Sequence, residues 1–248
     1  MLVTPDPASL SSLRDLQVDI AADSDYMTLS KAQVQDKLPQ SKKRLAGWYY
    51  QQILKFDIVL KSRASHVLIL DADTVLLKAI RMPAPDEIVF PRSSEFHEPY
   101  FRSFESLTGM QRSLKWSAIV NVMWFSRTSV ADLVNHIERQ RGLCWRQAIL
   151  EVSARDNSDG SYSEYETYAN WCAHHAKHVT QSPFRLFRRA DLLLSRHRSV
   201  ERIVVEAEQR RYDAIAFEQE HSNRTRLRRV AARALFSVGL CTNLRRFG

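Results

Sequence analysis

The segment His66-Val67-Leu68-Ile69-Leu70-Asp71-Ala72-Asp73 decides the fold class of this 248-residue chain. Residues 67–70 form a compact apolar run, which is typical of a strand buried on both faces of a sheet. Two carboxylates follow this run directly. In open α/β sheets, ligands bind just beyond the carboxyl ends of the strands. The segment therefore predicts a buried strand with a functional site at its end.

Around this segment, short apolar runs alternate with helical periods. This pattern is typical of a single α/β domain in which helices flank a mostly parallel central sheet. We predict further strands at residues 1–4, 18–22, 118–125, 179–181 and 214–217, and helices at residues 7–16, 41–60, 129–141 and 144–154 and from residue 163 onward.

The net charge of +8 is concentrated at one end of the sequence. Residues 1–184 contain 21 basic and 21 acidic side chains, whereas 15 arginines and seven acidic residues follow from Arg185 onward. The body of the chain is therefore neutral. We predict a domain of residues 1–220 and a basic helical tail of residues 221–248.

Composition excludes several classes of protein. A hydrophobic content of 44% is that of a globular protein and not of a disordered chain. No run approaches the roughly 18 apolar residues that span a bilayer, and residues 1–10 lack the features of a secretory signal. Three widely spaced cysteines fit free thiols in a reducing compartment. We expect a cytoplasmic protein.

Asp71 and Asp73 are the clearest candidate site. Two carboxylates one residue apart on a turn can reach one hard divalent cation. Mg²⁺ and Mn²⁺ favour such oxygen ligands and complete their shell with diphosphate and water. The structural alternative is a pair of strand-end carboxylates that cap a turn.

Residues 66–77 also resemble the Asp-x-Asp segment of GT-A-fold glycosyltransferases. The upstream segment Gly47-Trp48-Tyr49-Tyr50-Gln51-Gln52-Ile53-Leu54-Lys55 resembles the segment that precedes this motif in a bacterial group of GT-A-like proteins of largely unassigned function. Residues 97–100 and 163–168 are similar to that group as well. The resemblance spans roughly residues 47–220 and is specific as a set.

This resemblance implies a GT-A-like (Rossmann-like) fold and a metal-dependent glycosyltransferase. Its donor would be a nucleoside-diphosphate sugar, and its acceptor a hydroxyl of a saccharide or lipid-linked molecule in bacterial surface polysaccharide or glycoconjugate synthesis. By the same resemblance, Asp73 binds Mn²⁺ or Mg²⁺, and Asp71 contacts the metal or the donor's ribose and sugar. GT-A enzymes often add a histidine near the C-terminus to the metal shell, and His221 is the best-placed candidate.

Gln52 and Gln51 precede Lys55 by three and four residues, which makes each of them a neighbour of Lys55 on a helix. Lys55, with the two glutamines, is a candidate for binding donor phosphate or sugar hydroxyls. A solvated helix face is the alternative.

Glu164 and Glu166 have different predicted roles. Ser163 and Glu166 have the spacing of a capping box, so Glu166 is predicted to cap a helix. Glu164, at the first helical position, is freer to face a cleft. It is a candidate general base for an inverting transfer, or an acceptor-binding or charge-stabilising group for a retaining one. His97, beside Glu98 and Tyr100, is a candidate for the acceptor side.

The two ends of the chain add further expectations. Only 70 residues precede Asp71, fewer than in most GT-A domains, so we expect an abbreviated nucleotide-binding part. In residues 224–236, arginines alternate with apolar side chains, which fits either an amphipathic helix on an anionic membrane or a solvated terminal helix. The former implies a peripheral location at the inner face of the membrane. No nucleic-acid recognition motif accompanies the charge, so nucleic acid is not an expected partner.

Two other functions fit parts of the sequence. Asp71-Ala72-Asp73-Thr74-Val75 satisfies the motif of HAD-type phosphatases, with Asp71 as nucleophile and Asp73 as acid/base, although no later Gly-Asp-x-x-x-Asp completes that site. The other alternative is a non-catalytic, truncated transferase relative that acts as an interaction protein.

Overall fold

The computed structural model describes residues 1–16, 18–91, 93, 95–176, 179–193 and 199–217. His221 and the predicted basic tail lie outside these residues, as does the predicted boundary at residue 220. The chain is a mixed α/β protein that divides into two compact units. The first unit consists of residues 1–67, 97–113 and 125–171, and the second of residues 68–96 and 114–124 with the described residues from 172 onward.

The described residues form the following elements. The helices are α1 (Lys31–Lys37), α2 (Ala46–Lys61), α3 (Glu98–Thr108), α4 (Arg127–Arg141), α5 (Trp145–Arg155), α6 (Glu164–His175) and α7 (Val200–Gln209), with 3-10 helices at Pro7–Leu16, Asp23–Asp25, Gln40–Leu45 and Ala190–Leu193. The strands are β1 (Leu2–Thr4), β2 (Ile20–Ala22), β3 (His66–Leu70), β4 (Thr74–Leu76), β5 (Ile88–Pro91), β6 (Val122–Ser126), β7 (Val179–Ser182), β8 (Leu186–Phe187) and β9 (Ala214–Ala216). Among the described helices, none is both long and apolar enough to cross a bilayer.

The first unit is a helical assembly around an aromatic core. Its fully buried large side chains include Tyr49 of α2, Phe104 of α3 and Tyr168 of α6. Gly142 ends α4 in the left-handed conformation, with φ 64°, which a glycine adopts at little cost. The side chain of Ser126 accepts a hydrogen bond from the amide of Ser129 and caps α4, so the helix begins earlier than the predicted start at Ser129.

The second unit contains small sheets. In it, β5 pairs with β7 and β8 with β9 in parallel, whereas β4 pairs with β9 antiparallel. In the first unit, β1 and β2 form a parallel pair. The described strands thus form four small sheets and not the single, mostly parallel central sheet that the sequence predicted. The strands are short, two to five residues each, so each sheet stays small.

The strand that decided the fold prediction, β3, pairs with β6. The amide of Asp71 donates to the carbonyl of Asn121, and the amide of Arg127 donates to the carbonyl of Ser65. Because the later residue of one strand meets the earlier residue of the other, the pair is antiparallel. All five residues of β6 are buried, whereas only His66 is buried in β3. The prediction of a fully buried β3 is therefore wrong.

Candidate functional site

Asp71 and Asp73 flank Ala72 in a tight turn between β3 and β4. The amide of Thr74 donates to the carbonyl of Asp71 at 2.9 Å and closes the turn. The carbonyl of Asp73 accepts from the amide of Phe217, also at 2.9 Å. Ala72 is exposed and both aspartates are half-buried. Backbone bonds therefore fix the turn, and each aspartate is only partly exposed, with Oδ1 of Asp73 itself buried.

Two residues that the sequence did not single out surround Asp71. The side-chain amide nitrogen of Asn121 lies 3.4 Å from Oδ2 of Asp71, and Asn121 is buried. Nε of Arg188 donates to Oδ1 of Asn121 at 2.9 Å, and Nη1 donates to the carbonyl of Ile119 at 3.0 Å and pairs with the carboxylate of Glu95. Because Arg188 engages the amide oxygen of Asn121, the amide nitrogen is turned toward Asp71.

The sequence carried no clear signal for these residues. Asn121 directly precedes β6 and fell inside the predicted strand 118–125, and Arg188 directly follows β8, a strand that was not predicted. The antiparallel pairing of β3 with β6 brings the start of β6 to the end of β3, which is why Asn121 meets Asp71. Neither residue is a carboxylate or a histidine, so a metal-ligand motif built from those residue types does not include them.

The chemistry of the turn fits a hard divalent cation. Asp71 and Asp73 offer carboxylate oxygens, which Mg²⁺ and Mn²⁺ prefer, and such ions commonly take their remaining ligands from substrate phosphates and water. Among the described residues, no group of three or more His, Cys, Asp or Glu side chains is placed to hold a metal ion. The predicted third ligand, His221, lies outside the described residues.

Lys55 and Glu164 form a buried ion pair in the first unit. Nζ of Lys55 lies 2.6 Å from Oε1 of Glu164, and the side chains are 6% and 1% exposed. Nζ also lies over the ring of Tyr165, 4.2 Å from its centroid. Lys55 is thus not on a solvated helix face. Glu164, which was expected to be free to face a cleft, is instead almost fully enclosed.

The two glutamines predicted to act with Lys55 differ in their surroundings. Gln52 is buried, and its side-chain oxygen accepts a long hydrogen bond, 3.4 Å, from the amide of Glu164. Gln51 is exposed. The structure therefore brings Gln52, Lys55 and Glu164 together and leaves Gln51 on another part of the α2 surface.

Glu166 lies in the first turn of α6, where Ser163 supplies one half of the predicted capping box. The hydroxyl of Ser163 accepts from the amide of Glu166 at 3.2 Å. The Glu166 carboxylate accepts from the side-chain amide of Asn170 at 3.0 Å and lies 3.6 Å from Nε of Arg112. This carboxylate is fully buried, so its contacts stabilise the interior of the first unit.

His97 and Tyr100 belong to a half-buried aromatic cluster in the first unit. The two rings meet edge to face at 4.4 Å, and Trp48 stacks on Tyr100 at 6.3 Å. Nε2 of His97 lies 3.0 Å from the carbonyl oxygen of Gly160. The structure thus joins segments 47–55 and 97–100, which the sequence resemblance had grouped.

Asp156 and Lys42, also in the first unit, have shifted pKa values. Partial burial raises the pKa of Asp156, but hydrogen bonds from Ser158 and Arg102 outweigh it and hold that pKa below its ordinary value. Nζ of Lys42 donates to the carbonyls of Ser153, at 2.6 Å, and Asp156. Burial lowers the pKa of Lys42, and the negative charge of Asp156 opposes this shift.

Comparison with known families places the chain. Residues 1–215 match a family described as "Family of unknown function (DUF6492)". The match covers most of the 248 residues, so the chain belongs to this family. No protein of curated function matches the sequence.

Proposed function

We propose that this family member is a metal-dependent glycosyltransferase with a GT-A-like catalytic arrangement. It would move a sugar from a nucleoside-diphosphate donor to a hydroxyl acceptor in bacterial surface polysaccharide or glycoconjugate synthesis. The observation that carries the proposal is the half-buried pair Asp71 and Asp73 on a surface turn held by backbone bonds. The sequence resemblance of residues 47–55, 97–100 and 163–168 supports it.

The reaction breaks the bond between the anomeric carbon and the diphosphate, which leaves with the electron pair, and forms a bond from that carbon to the acceptor oxygen. The proton of the acceptor hydroxyl passes to a base or to the departing diphosphate. A bound Mn²⁺ or Mg²⁺ supplies positive charge that stabilises the departing diphosphate. Asp71 and Asp73 would hold this ion. Asn121 orients the carboxylate of Asp71, and Arg188 orients Asn121.

Glu164 has two roles to be distinguished within this proposal. As a general base it would accept the proton of the acceptor hydroxyl, which requires that it leave its ion pair with Lys55. As a partner of Lys55 it neutralises a buried ammonium group in the first unit. Its enclosure and its 2.6 Å contact favour the second role, because a carboxylate beside a lysine is a weaker base.

The proposal is tested by calorimetry of nucleotide binding. UDP, GDP, CMP and their sugar derivatives are titrated into wild type and Asp73→Asn, with and without Mn²⁺. We expect one nucleotide class to bind only with Mn²⁺, and Asp73→Asn to weaken this binding at least about tenfold. The matched control is Asp36→Asn, which removes an exposed carboxylate from α1 and should leave affinity unchanged.

Two outcomes would overturn the proposal. One is the absence of metal-dependent binding for every nucleotide tested. The other is hydrolysis of p-nitrophenyl phosphate by wild type but not by Asp71→Asn, which would favour the phosphatase instead, since Asp71 is then the nucleophile.

A further inference from the structure

A cavity of about 370 Å³ lies in the second unit, away from the aspartate turn. Its volume is within the range of small-molecule sites. One wall comes from the chain that follows β4, between Lys78 and Val89. The other comes from residues 180–184, and Trp124 and Asp213 complete the lining.

The cavity and the aspartate turn lie at opposite ends of β4. At one end, the carbonyl of Asp73 accepts from the amide of Phe217; at the other, the amide of Leu77 donates to the carbonyl of Asp213. Strand residues rise about 3.3 Å each, so Lys78 lies up to about 16 Å from Asp73. The cavity and the aspartate turn are thus distinct surfaces of the second unit.

The cavity has an apolar surface. Trp124 and Phe184 meet edge to face with ring centroids 5.9 Å apart. Trp124 is buried, whereas the ring of Phe184 is only partly buried. The remaining apolar lining comes from Ile80, Pro83, Val89 and Pro183. Such a surface gains free energy by covering the apolar face of a ligand ring.

The charged groups that line the cavity form two pairs of opposite charge. Nζ of Lys78 lies 2.9 Å from Oδ1 of Asp213, and a guanidinium nitrogen of Arg81 lies 2.6 Å from Oε2 of Glu87. The two cations thus face two carboxylates, and the cavity has no net charge. This disfavours a phosphate as its ligand, because the carboxylates oppose a second anion. The same groups, with Gln181 nearby, provide hydrogen-bond donors and acceptors for hydroxyls.

We propose that this cavity binds a neutral saccharide. A pyranose ring has apolar C–H faces, which suit Phe184, and hydroxyl edges, which suit the two ion pairs and Gln181. We further infer that this saccharide belongs to the acceptor, in a part distant from the reacting hydroxyl. The assignment to the acceptor rests on the proposed function, whereas saccharide binding to the cavity does not.

The test is saturation-transfer NMR on the full chain with methyl glycosides of glucose, galactose, mannose and N-acetylglucosamine as probes. Glucose 6-phosphate and glucuronate are the charged comparators. At least one neutral glycoside should bind with a Kd of about 1–10 mM, and the charged sugars more weakly. Phe184→Ala should reduce the affinity about tenfold, whereas Phe96→Ala, which removes a 62% exposed ring outside the cavity, should leave it unchanged.

A second variant keeps the test decisive if Phe184→Ala fails to fold. Gln181 is exposed on β7, and Gln181→Ala should reduce affinity about threefold by removing one hydrogen-bonding group. Saturation transfer from no neutral glycoside, equal binding of the charged sugars, or equal loss in Phe96→Ala would each overturn the inference. Nucleotide titration of the same samples separates the two proposals. Saccharide binding without nucleotide binding would overturn the proposed transferase function and leave the saccharide site standing.

Discussion

The candidate site residues of the two units have different surroundings. In the first unit, Lys55 and Glu164 are enclosed and paired, and Asp57, also buried, pairs with Arg146. In the second unit, Asp71 and Asp73 are half-buried on a turn. A buried charge costs several kcal/mol unless it is compensated. The enclosed pairs are therefore tied to folding, whereas the half-buried aspartates keep part of their surface exposed to solvent.

This difference separates residues that the sequence had grouped. Lys55, Glu164, Asp71 and Asp73 all lie in segments that resemble a transferase. Of these four residues, only the aspartates lie on a partly exposed turn that backbone hydrogen bonds hold in place. Membership of a motif thus identifies segments of interest, and burial and pairing decide what each residue can do.

The largest expected effect comes from breaking the buried pair. Lys55→Met leaves the Glu164 carboxylate buried without its cation, which should lower the free energy of unfolding by about 3–5 kcal/mol. Urea unfolding followed by circular dichroism measures it. The double variant Lys55→Met, Glu164→Leu should recover most of the loss, because no charge is then left buried. A loss below about 1 kcal/mol in the single variant would show that the pair is not structural.

A further variant, Glu164→Gln, resolves the role of Glu164. If Glu164 serves the ion pair, Glu164→Gln loses stability and transferase activity falls only as far as the folded fraction does. If Glu164 is the base, Glu164→Gln keeps nucleotide binding and loses transfer in the fully folded protein. Measuring unfolding and turnover on one preparation distinguishes the two roles.

The second expected effect concerns the orientation of Asp71. Asn121→Ala and Arg188→Ala each remove part of the support for this carboxylate, so Mn²⁺-dependent nucleotide affinity should fall about 10–100-fold. The double variant should lose little more than the larger single loss, because Arg188 is inferred to act through Asn121. Arg202→Ala, an exposed arginine of α7, is the matched control. Fully additive losses would indicate that Arg188 contacts the ligand directly.

Local features were predictable from the sequence. The apolar run of β3, the helical period of α2 and the Gly142 stop of α4 depend on neighbouring residues, and each is present in the structure. The sheet architecture was not predictable, because pairing joins residues far apart in sequence. One such pairing brings Asn121, 50 residues later in the sequence, to Asp71.

The residues that cover a helix face could not be predicted from the sequence either. Periodicity places Gln52 and Lys55 on one side of α2 but does not reveal what covers that side. Glu164, 109 residues after Lys55, does so. This is why a residue predicted to contact phosphate or solvent is found in an ion pair.

A third, smaller effect depends on pH. Arg102 and Ser158 hold the pKa of Asp156 below its ordinary value of 3.8. The folded state therefore binds the proton less readily than the unfolded state, and the stabilisation is present above about pH 4 and lost as the pH falls through the depressed pKa. Asp156→Asn should cost about 1–2 kcal/mol at neutral pH. Urea midpoints should show this difference shrinking toward zero as the pH falls through the depressed pKa of Asp156; a constant difference would mean that the charge is irrelevant.

The smallest effect is expected from an ion pair that differs from Lys55–Glu164 mainly in exposure. Arg44 pairs with Asp159 in the same unit, but their side chains are 64% and 60% exposed. Water solvates both charges when the pair is broken, so Arg44→Ala should change the free energy of unfolding by about 0–1 kcal/mol, and added salt should reduce even that. Urea unfolding of Arg44→Ala beside Lys55→Met compares the two directly. Equal losses would refute burial as the property that separates structural charges from accessible ones.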